Sequence, residues 1–423
     1  MKRCSLLIAL VALAMMAFAC GDDGGSGDSD AMVQPGTDSG TPAIDAGVAD
    51  AAPPDAMRTE LDERVVNYGE ALRTASLKLT GAQPELDDIL AIRDAADDAA
   101  RKVLYDGFID NMVETAGFTR QMIALWRNIL RMRLSLVGTG PSHETAPTFA
   151  ARLVVSGSDF TTLFTATSNT CPTYNDKPNT FTDGDCNNNV TPSGLLTDPG
   201  IHDVYWGNLA LRTVRYFHET FLCRSALEPR AEPGATSSTV GPCSGAQSPG
   251  YDSPWDEDSI TGRCNSSRVG ESMWAVEFHA ATGNGACGNC HGTFNHRAPL
   301  FARFNEDGIY SVSEFEVFMP IDGEPRALAT DFLPAGEPAA YKFGSTATTI
   351  AELGTLMAND PEVQSCLVKR MWNFGMSHGD IVTDGAVVPD SVVADLVADF
   401  QNDSFNLKNV LRAVFKHEDF VRF

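Results

Sequence analysis

Apolar residues recur at helical spacing over most of the chain outside its N-terminal end and its middle. Leu61, Val65, Val66 and Tyr68 open one such face, continued by Leu72, Ala75 and Leu79. Gly81 is placed to stop that helix. Pro84 sits where a second helix would start, with Leu86, Ile89, Leu90 and Ile92 as its apolar positions. Leu104, Phe108, Ile109 and Met112 form a third pattern, which ends near Gly117. Met122, Ile123, Trp126, Ile129 and Leu130 form a fourth. These aromatic and methionine stripes are read as helix-packing core.

From residue 136 to 265 the periodicity weakens and Gly, Pro, Ser, Thr and Asn dominate. A short helix over about 146–155 and another over about 206–222 are expected, and the rest reads as loop. A helix over 268–282 follows, then irregular chain to about residue 345. Further helices are expected around Ile350–Met357, after Asp360-Pro361 to near Gly379, and over about 390–400 and 407–416. The expected fold is mainly α: an N-terminal helical domain (59–165), a loop-rich disulfide region (166–265) and a C-terminal α-helical cytochrome-c-like domain (266–423).

The N-terminus changes the picture. Lys2 and Arg3 precede an apolar run over 5–18, too short for a comfortable membrane span, which ends Ala17-Phe18-Ala19-Cys20. Residues 1–20 therefore read as a lipoprotein-type signal peptide that leaves Cys20 lipid-modified; the same residues also suit an ordinary signal-peptidase site. The expected location is the outer membrane or cell surface, with the periplasmic side an alternative. Residues 21–58 hold eight aspartates, no aromatic residue and, as far as Met57, no basic one. Such a stretch cannot offset its ordering entropy. It is expected to be a disordered acidic tether with a reach of about 35 Å or more.

The chain carries 56 acidic against 31 basic residues, a formal charge of −25. That disfavours a nucleic-acid partner and is compatible with a basic redox partner. Apart from Cys4 and Cys20, its cysteines lie between Cys171 and Cys366, several in loop-like sequence, which suits an oxidising compartment. Cys171 and Cys186 are close enough for a local bridge. Cys223, Cys243 and Cys264 leave one without a local mate, and Cys366 remains for it.

The chemistry concentrates at Cys287-Gly288-Asn289-Cys290-His291. In an exported protein, Cys-x-x-Cys-His is the attachment signature of covalent haem c: two thiols for the two vinyl groups, and the next imidazole for the iron. The competing reading is a Cys287–Cys290 disulfide beside an unrelated histidine. Met319 is the first candidate for the sixth iron position, ahead of Met357, Met376, His296 and His378. Taken singly, those two methionines are expected in core and those two histidines at the surface or hydrogen-bonded. Asp183-Gly184-Asp185-Cys186-Asn187-Asn188-Asn189 resembles the start of a calcium loop, but Asn188 and Gly194 stand where such a loop needs Gly and Glu, so a solvated turn is preferred to a calcium site. His143, His202, His218, His279 and His417 show no ligand spacing, and the sequence has no HExxH, phosphate loop or G-x-S-x-G.

Four stretches resemble the planctomycete-type cytochrome c family, multi-module haem proteins also found in myxobacteria and largely described as domains of unknown function. They are Leu79-Thr80-Gly81-Ala82-Gln83-Pro84-Glu85-Leu86; Glu219–Arg224 with Pro229 and Pro233; Cys287 to Tyr310 with Phe301, Phe304, Gly308 and Tyr310; and Asp360 to Phe423 with Phe415, His417 and Phe420. Three places differ from the family pattern: Asn295-His296-Arg297-Ala298-Pro299, Asn305, and Met376-Ser377-His378-Gly379. The resemblance implies an exported haem-c protein and leaves its reaction open. The expectation is a lipid-anchored monohaem electron carrier with an unknown redox partner. A haem-dependent peroxidase or substrate oxidase, and a non-redox surface lipoprotein with a Cys287–Cys290 disulfide, are the alternatives.

Overall fold

The computed structural model describes residues 63–133, 140–225, 294–318, 326–333, 338–342 and 345–423. The expected signal peptide with Cys20, the expected acidic tether, the expected 268–282 helix, Cys243, Cys264, Cys287, Cys290, His291 and Met319 lie outside them.

The described chain is mainly helical. Asn67 accepts from the backbone N–H of Gly69 and Glu70 and starts α1 (Tyr68–Thr80); Gly81, at φ 75°, ends it. Then come α2 (Leu86–Asp94), α3 (Asp98–Met112) and α4 (Ala116–Ile129). The C-terminus of α1 meets the N-terminus of α4 at Gly117, where a Cβ would stand 2.7 Å from the Thr80 carbonyl oxygen. Next are α5 (Thr145–Ser156), the single turn α6 (Thr162–Thr165) and the hairpin β1 (Thr173–Asn175) and β2 (Thr180–Thr182), paired Thr173 to Thr182. Beyond lie α7 (Pro199–Tyr205), a 3₁₀ turn at Asn208–Ala210 and α8 (Leu211–Leu222).

Residues 294–301 form a helix, α9. Short antiparallel ladders β3/β4 (Val317–Phe318, Arg326–Ala327) and β5/β6 (Ala340–Lys342, Ser345–Thr346) follow. The chain closes with α10 (Ile350–Ala358), α11 (Pro361–Met376), α12 (Asp390–Asn402), α13 (Leu407–Lys416) and α14 (Glu418–Val421).

Four expectations are corrected. Val65 and Val66 are not the start of α1: Asn67 caps the helix after them, and they run extended. Val65 exchanges both backbone hydrogen bonds with Phe423 at 3.0 Å, and Val66 bridges Arg422. In α2 and α3, Leu86, Ile89 and Leu104 are exposed, and Ile92, Tyr105, Ile109 and Met112 carry the packing. The expected 206–222 helix starts only at Leu211, because Leu209 and Ala210, just ahead of it, both take left-handed backbone conformations. The chain after residue 291 is not irregular at once, since α9 begins by Phe294.

One buried cluster contains residues of every α-helix, α2 contributing Ile92 alone. α4 lies against α1 and α5; α13 lies against α3, α5, α11 and α12; α6 lies against α10. Residues 60–423 form one compact unit. Among the described residues no helix is long and apolar enough to cross a membrane.

Candidate functional site

Phe294, the first described residue of α9, stands three residues after His291. Its helical residues and the segment that follows are built into the core: Phe294, Asn295, His296, Arg297, Ala298, Leu300, Phe301, Ala302 and Phe304 are all buried. His296 is therefore interior, not at the surface as one alternative had it. Phe301 stacks on Phe217 of α8 with ring centroids 5.0 Å apart, and Phe304 stacks on His202 of α7 at 3.8 Å. His202 also bonds the Leu196 carbonyl through Nε2 at 2.9 Å, and burial lowers its pKa to about 4, so its ring is neutral and donates.

A charged cluster surrounds the first turns of α9. Arg297 is buried; its Nε donates to the Tyr341 carbonyl at 2.7 Å, and its Nη1 donates to Nδ1 of His218 at 3.2 Å. A guanidinium can only donate, so His218 accepts at Nδ1 and carries its proton on Nε2. Burial, with the charges of Arg297, Arg224 and Lys342, holds the His218 pKa well below its ordinary value. The His218 ring also meets Phe294 edge-on at 5.8 Å. Tyr341 donates to Asp360 at 2.6 Å, while the guanidinium of Arg297 lies over the Tyr341 ring at 4.8 Å. Burial pushes the Asp360 carboxyl up, but the bonds from Lys342 and Tyr341 more than offset this and leave it below its ordinary value. Lys342 pairs with Asp360 and, at 3.1 Å, with Glu362; Arg224 pairs with Glu362. Three cations thus face two carboxylates around a neutral histidine.

α11 holds this arrangement against α8. Glu362, Cys366 and Arg370 recur every four residues, so they share one helix face. Glu362 pairs with Arg224, Cys366 is disulfide-bonded to Cys223, and Arg370 donates to the Glu219 and Thr220 carbonyls at 3.2 and 3.1 Å. Arg370 thereby satisfies carbonyls that the end of α8 leaves without helical partners. Its other nitrogen pairs with Asp380 at 2.6 Å. Sequence reasoning reached Cys223 and Cys366 only as members of a larger set. It gave no place in a site to His218, Arg297, Tyr341, Lys342 or Asp360, which come from four segments and share no spacing.

The expected Cys171–Cys186 bridge is present. Among the described residues its sulfurs and a carboxylate oxygen of Asp198 lie within 4.8 Å of one another, but two sulfurs joined to each other offer no thiolate to a metal. Asp198 is the N-cap of α7, accepting from Ile201 N at 3.0 Å and from the Thr145 hydroxyl at 2.7 Å. In the segment likened to a calcium loop, Asp183 pairs with Arg152, Asp185 accepts from Asn169 N, and the Asn188 amide donates to the Thr197 and Gly308 carbonyls. Met357 is core, Met376 is partly buried and His378 is exposed. Comparison with family models, with curated proteins and with solved structures finds no match for this chain.

Proposed function

We propose that this chain is an exported c-type haem protein that carries electrons. The observation behind the reading is the run Cys287-Gly288-Asn289-Cys290-His291, followed three residues later by the buried helix α9. Two thiols and an adjacent imidazole are the donor set that covalent haem requires. Cys287 and Cys290 would form the thioethers, His291 would supply the proximal nitrogen, and Met319 is the proposed sixth ligand. The iron supplies a one-electron couple; the protein supplies burial and charge. The surplus of cations around α9 suits a macrocycle that bears two carboxylates. Lipidation at Cys20 and the acidic tether of residues 21–58 would hold the protein at the outer membrane or cell surface, facing a redox partner of basic character.

One observation favours a second reading, a haem peroxidase or substrate oxidase. His218 is a neutral Nε2–H donor held by Arg297, the kind of group that would polarise a small molecule at an open iron. A six-coordinate spectrum supports the carrier and a five-coordinate, ligand-binding spectrum supports the catalyst.

The test is a pyridine haemochrome spectrum of protein made with a c-type maturation system, beside the Cys287→Ala/Cys290→Ala variant. The expected result is a covalent c-type band in the parent protein only. No band, with Cys287 and Cys290 found disulfide-linked by mass spectrometry, overturns the reading and leaves a disulfide-stapled surface lipoprotein.

A further inference from the structure

The Cys171–Cys186 bridge differs from Cys223–Cys366 in what stands beside its sulfurs. Sγ of Cys171 lies 3.9 Å from Oδ2 of Asp198, and Sγ of Cys186 lies 3.5 Å from the Thr170 hydroxyl oxygen. At the other bridge the corresponding neighbours are the carbonyls of Cys366 and Thr220, at 3.5 and 3.6 Å, which cannot give up a proton. Cys171 is partly exposed, whereas Cys186 and Asp198 are buried. One cysteine near the surface is thus joined to a sheltered one, with a buried acid against the pair.

The two cysteine segments are also held together without their sulfurs. The Cys171 N–H donates to the Gly184 carbonyl at 2.9 Å, and a Cβ on Gly184 would lie 2.8 Å from the Cys171 carbonyl oxygen. Asn169 N–H donates to Asp185, while Arg152 joins the Asn169 carbonyl to Asp183. The β1/β2 ladder lies between the cysteines. Opening the bridge therefore leaves the two thiols side by side. Burial raises the Asp198 carboxyl to about 6, against bonds from Thr145 and from the backbone of Gly200 and Ile201, so it can exchange a proton near neutrality. His143, paired with Asp203, acts on it through charge in the opposite direction to burial. Tyr216 of α8 lies within its electrostatic reach, and burial keeps that phenol neutral. Asp183, Asp185 and, on the turn packed against Pro199, Glu306 and Asp307 are exposed.

We propose that Cys171–Cys186 is a redox-active bridge that oxidises a dithiol, with Asp198 placed to hand a proton to Cys171. A thiolate of the dithiol attacks Sγ of Cys171, and the S–S bond breaks. Cys186 leaves with the electron pair, accepts a hydrogen bond from Thr170 and takes up a proton. The second thiol then attacks the mixed disulfide and displaces Cys171, which receives its proton from Asp198. The partner loses two electrons and two protons and becomes a disulfide; the bridge gains both and becomes two thiols. In the reverse direction Asp198 takes the proton from Cys171 as it attacks. This activity is independent of the haem reading, since it uses neither Cys287 nor Cys290.

The test is reduction of the folded full chain by dithiothreitol, stopped with acid, alkylated and read at each cysteine pair by peptide mass spectrometry. Cys171–Cys186 should open faster than Cys223–Cys366 by about tenfold or more. Divided by the dithiothreitol thiolate concentration, its rate should fall about fivefold or more from pH 5 to 7.5 as Asp198 loses its proton. Asp198→Asn, which can still cap α7, should show no such fall. Cys186→Ser, incubated with glutathione disulfide, should trap one glutathione on Cys171, and this readout stands even if Asp198→Asn folds poorly. Equal opening of the two bridges, the same pH curve in Asp198→Asn as in the parent, or no adduct on Cys171 would each overturn the assignment.

Discussion

A buried carboxyl and a half-buried histidine put opposite slopes on the acid side of the stability curve. Burial raises the Asp198 carboxyl from 3.8 to about 6, against the bonds from Thr145 and the backbone. Between about pH 4 and 6 the folded chain holds a proton there that the unfolded chain has released, so this group's contribution falls as pH rises through that window. The shift corresponds to a loss on the order of 3 kcal/mol once both states are ionised. Asp198→Asn, which can still cap α7, should remove that slope, and the gap between variant and parent should widen in the variant's favour from pH 4 to pH 7 in urea melts. His218 works the other way. Its folded pKa is depressed, so its contribution is complete above about 6.5 and is lost as pH falls, because the unfolded chain takes up the proton first. His218→Gln keeps an acceptor for Arg297 and should flatten stability between pH 7 and 5. A parallel offset at all pH values would count against both assignments. None of this was legible in the sequence: Asp198 read as part of a loop, and His218 as one histidine among several without a pattern. What gives each its character is burial among partners from distant segments, which linear spacing does not encode.

At the scale of elements, α11 acts as the clasp of α8. The Cys223–Cys366 bridge closes 143 residues of sequence separation. Removing it as Cys223→Ala/Cys366→Ala should cost about 3–5 kcal/mol, read as a shifted guanidinium midpoint on non-reducing samples. Arg370→Leu should add a separate loss, because it strips the α8 carbonyls of their donor and leaves Asp380 unpaired. Burial acts to raise the Asp380 carboxyl, but the charge of Arg370 and backbone donors bring it down to about 2, a value the variant should lift toward the ordinary range. Most helices were readable because their signals are local: Gly81 after α1, Asp360-Pro361 before α11, the stripe Met122, Trp126, Ile129 in α4. The failures are also local in origin. Asp198-Pro199 is a start signal for α7 that went unused amid turn-forming residues. α9 is buried nearly all round, so it shows no polar–apolar alternation to detect. The outward face of α2 carries Leu86 and Ile89, which mimic a core stripe.

At the scale of the whole molecule, one core joins helices from both ends of the described chain. The hydroxyl of Tyr105 in α3 donates to the Phe415 carbonyl of α13 at 2.6 Å, and Lys408 reaches the Val155 carbonyl at the end of α5. Unfolding of residues 60–423 is therefore expected to be one cooperative event, with far-ultraviolet dichroism and tryptophan fluorescence melting together. Separated transitions would show that the core is divided.

That closure sets an order on biogenesis. A chain synthesised from its N-terminus delivers α1 and α3 first, yet α1 packs on α14, α3 packs on α13, and Val65 finds its backbone partner only at Phe423. The earliest helices must wait unsealed for the last turn of the chain to emerge. A chain arrested before Leu407 should stay open to protease throughout its N-terminal helices, and release of the final seventeen residues should protect them all at once.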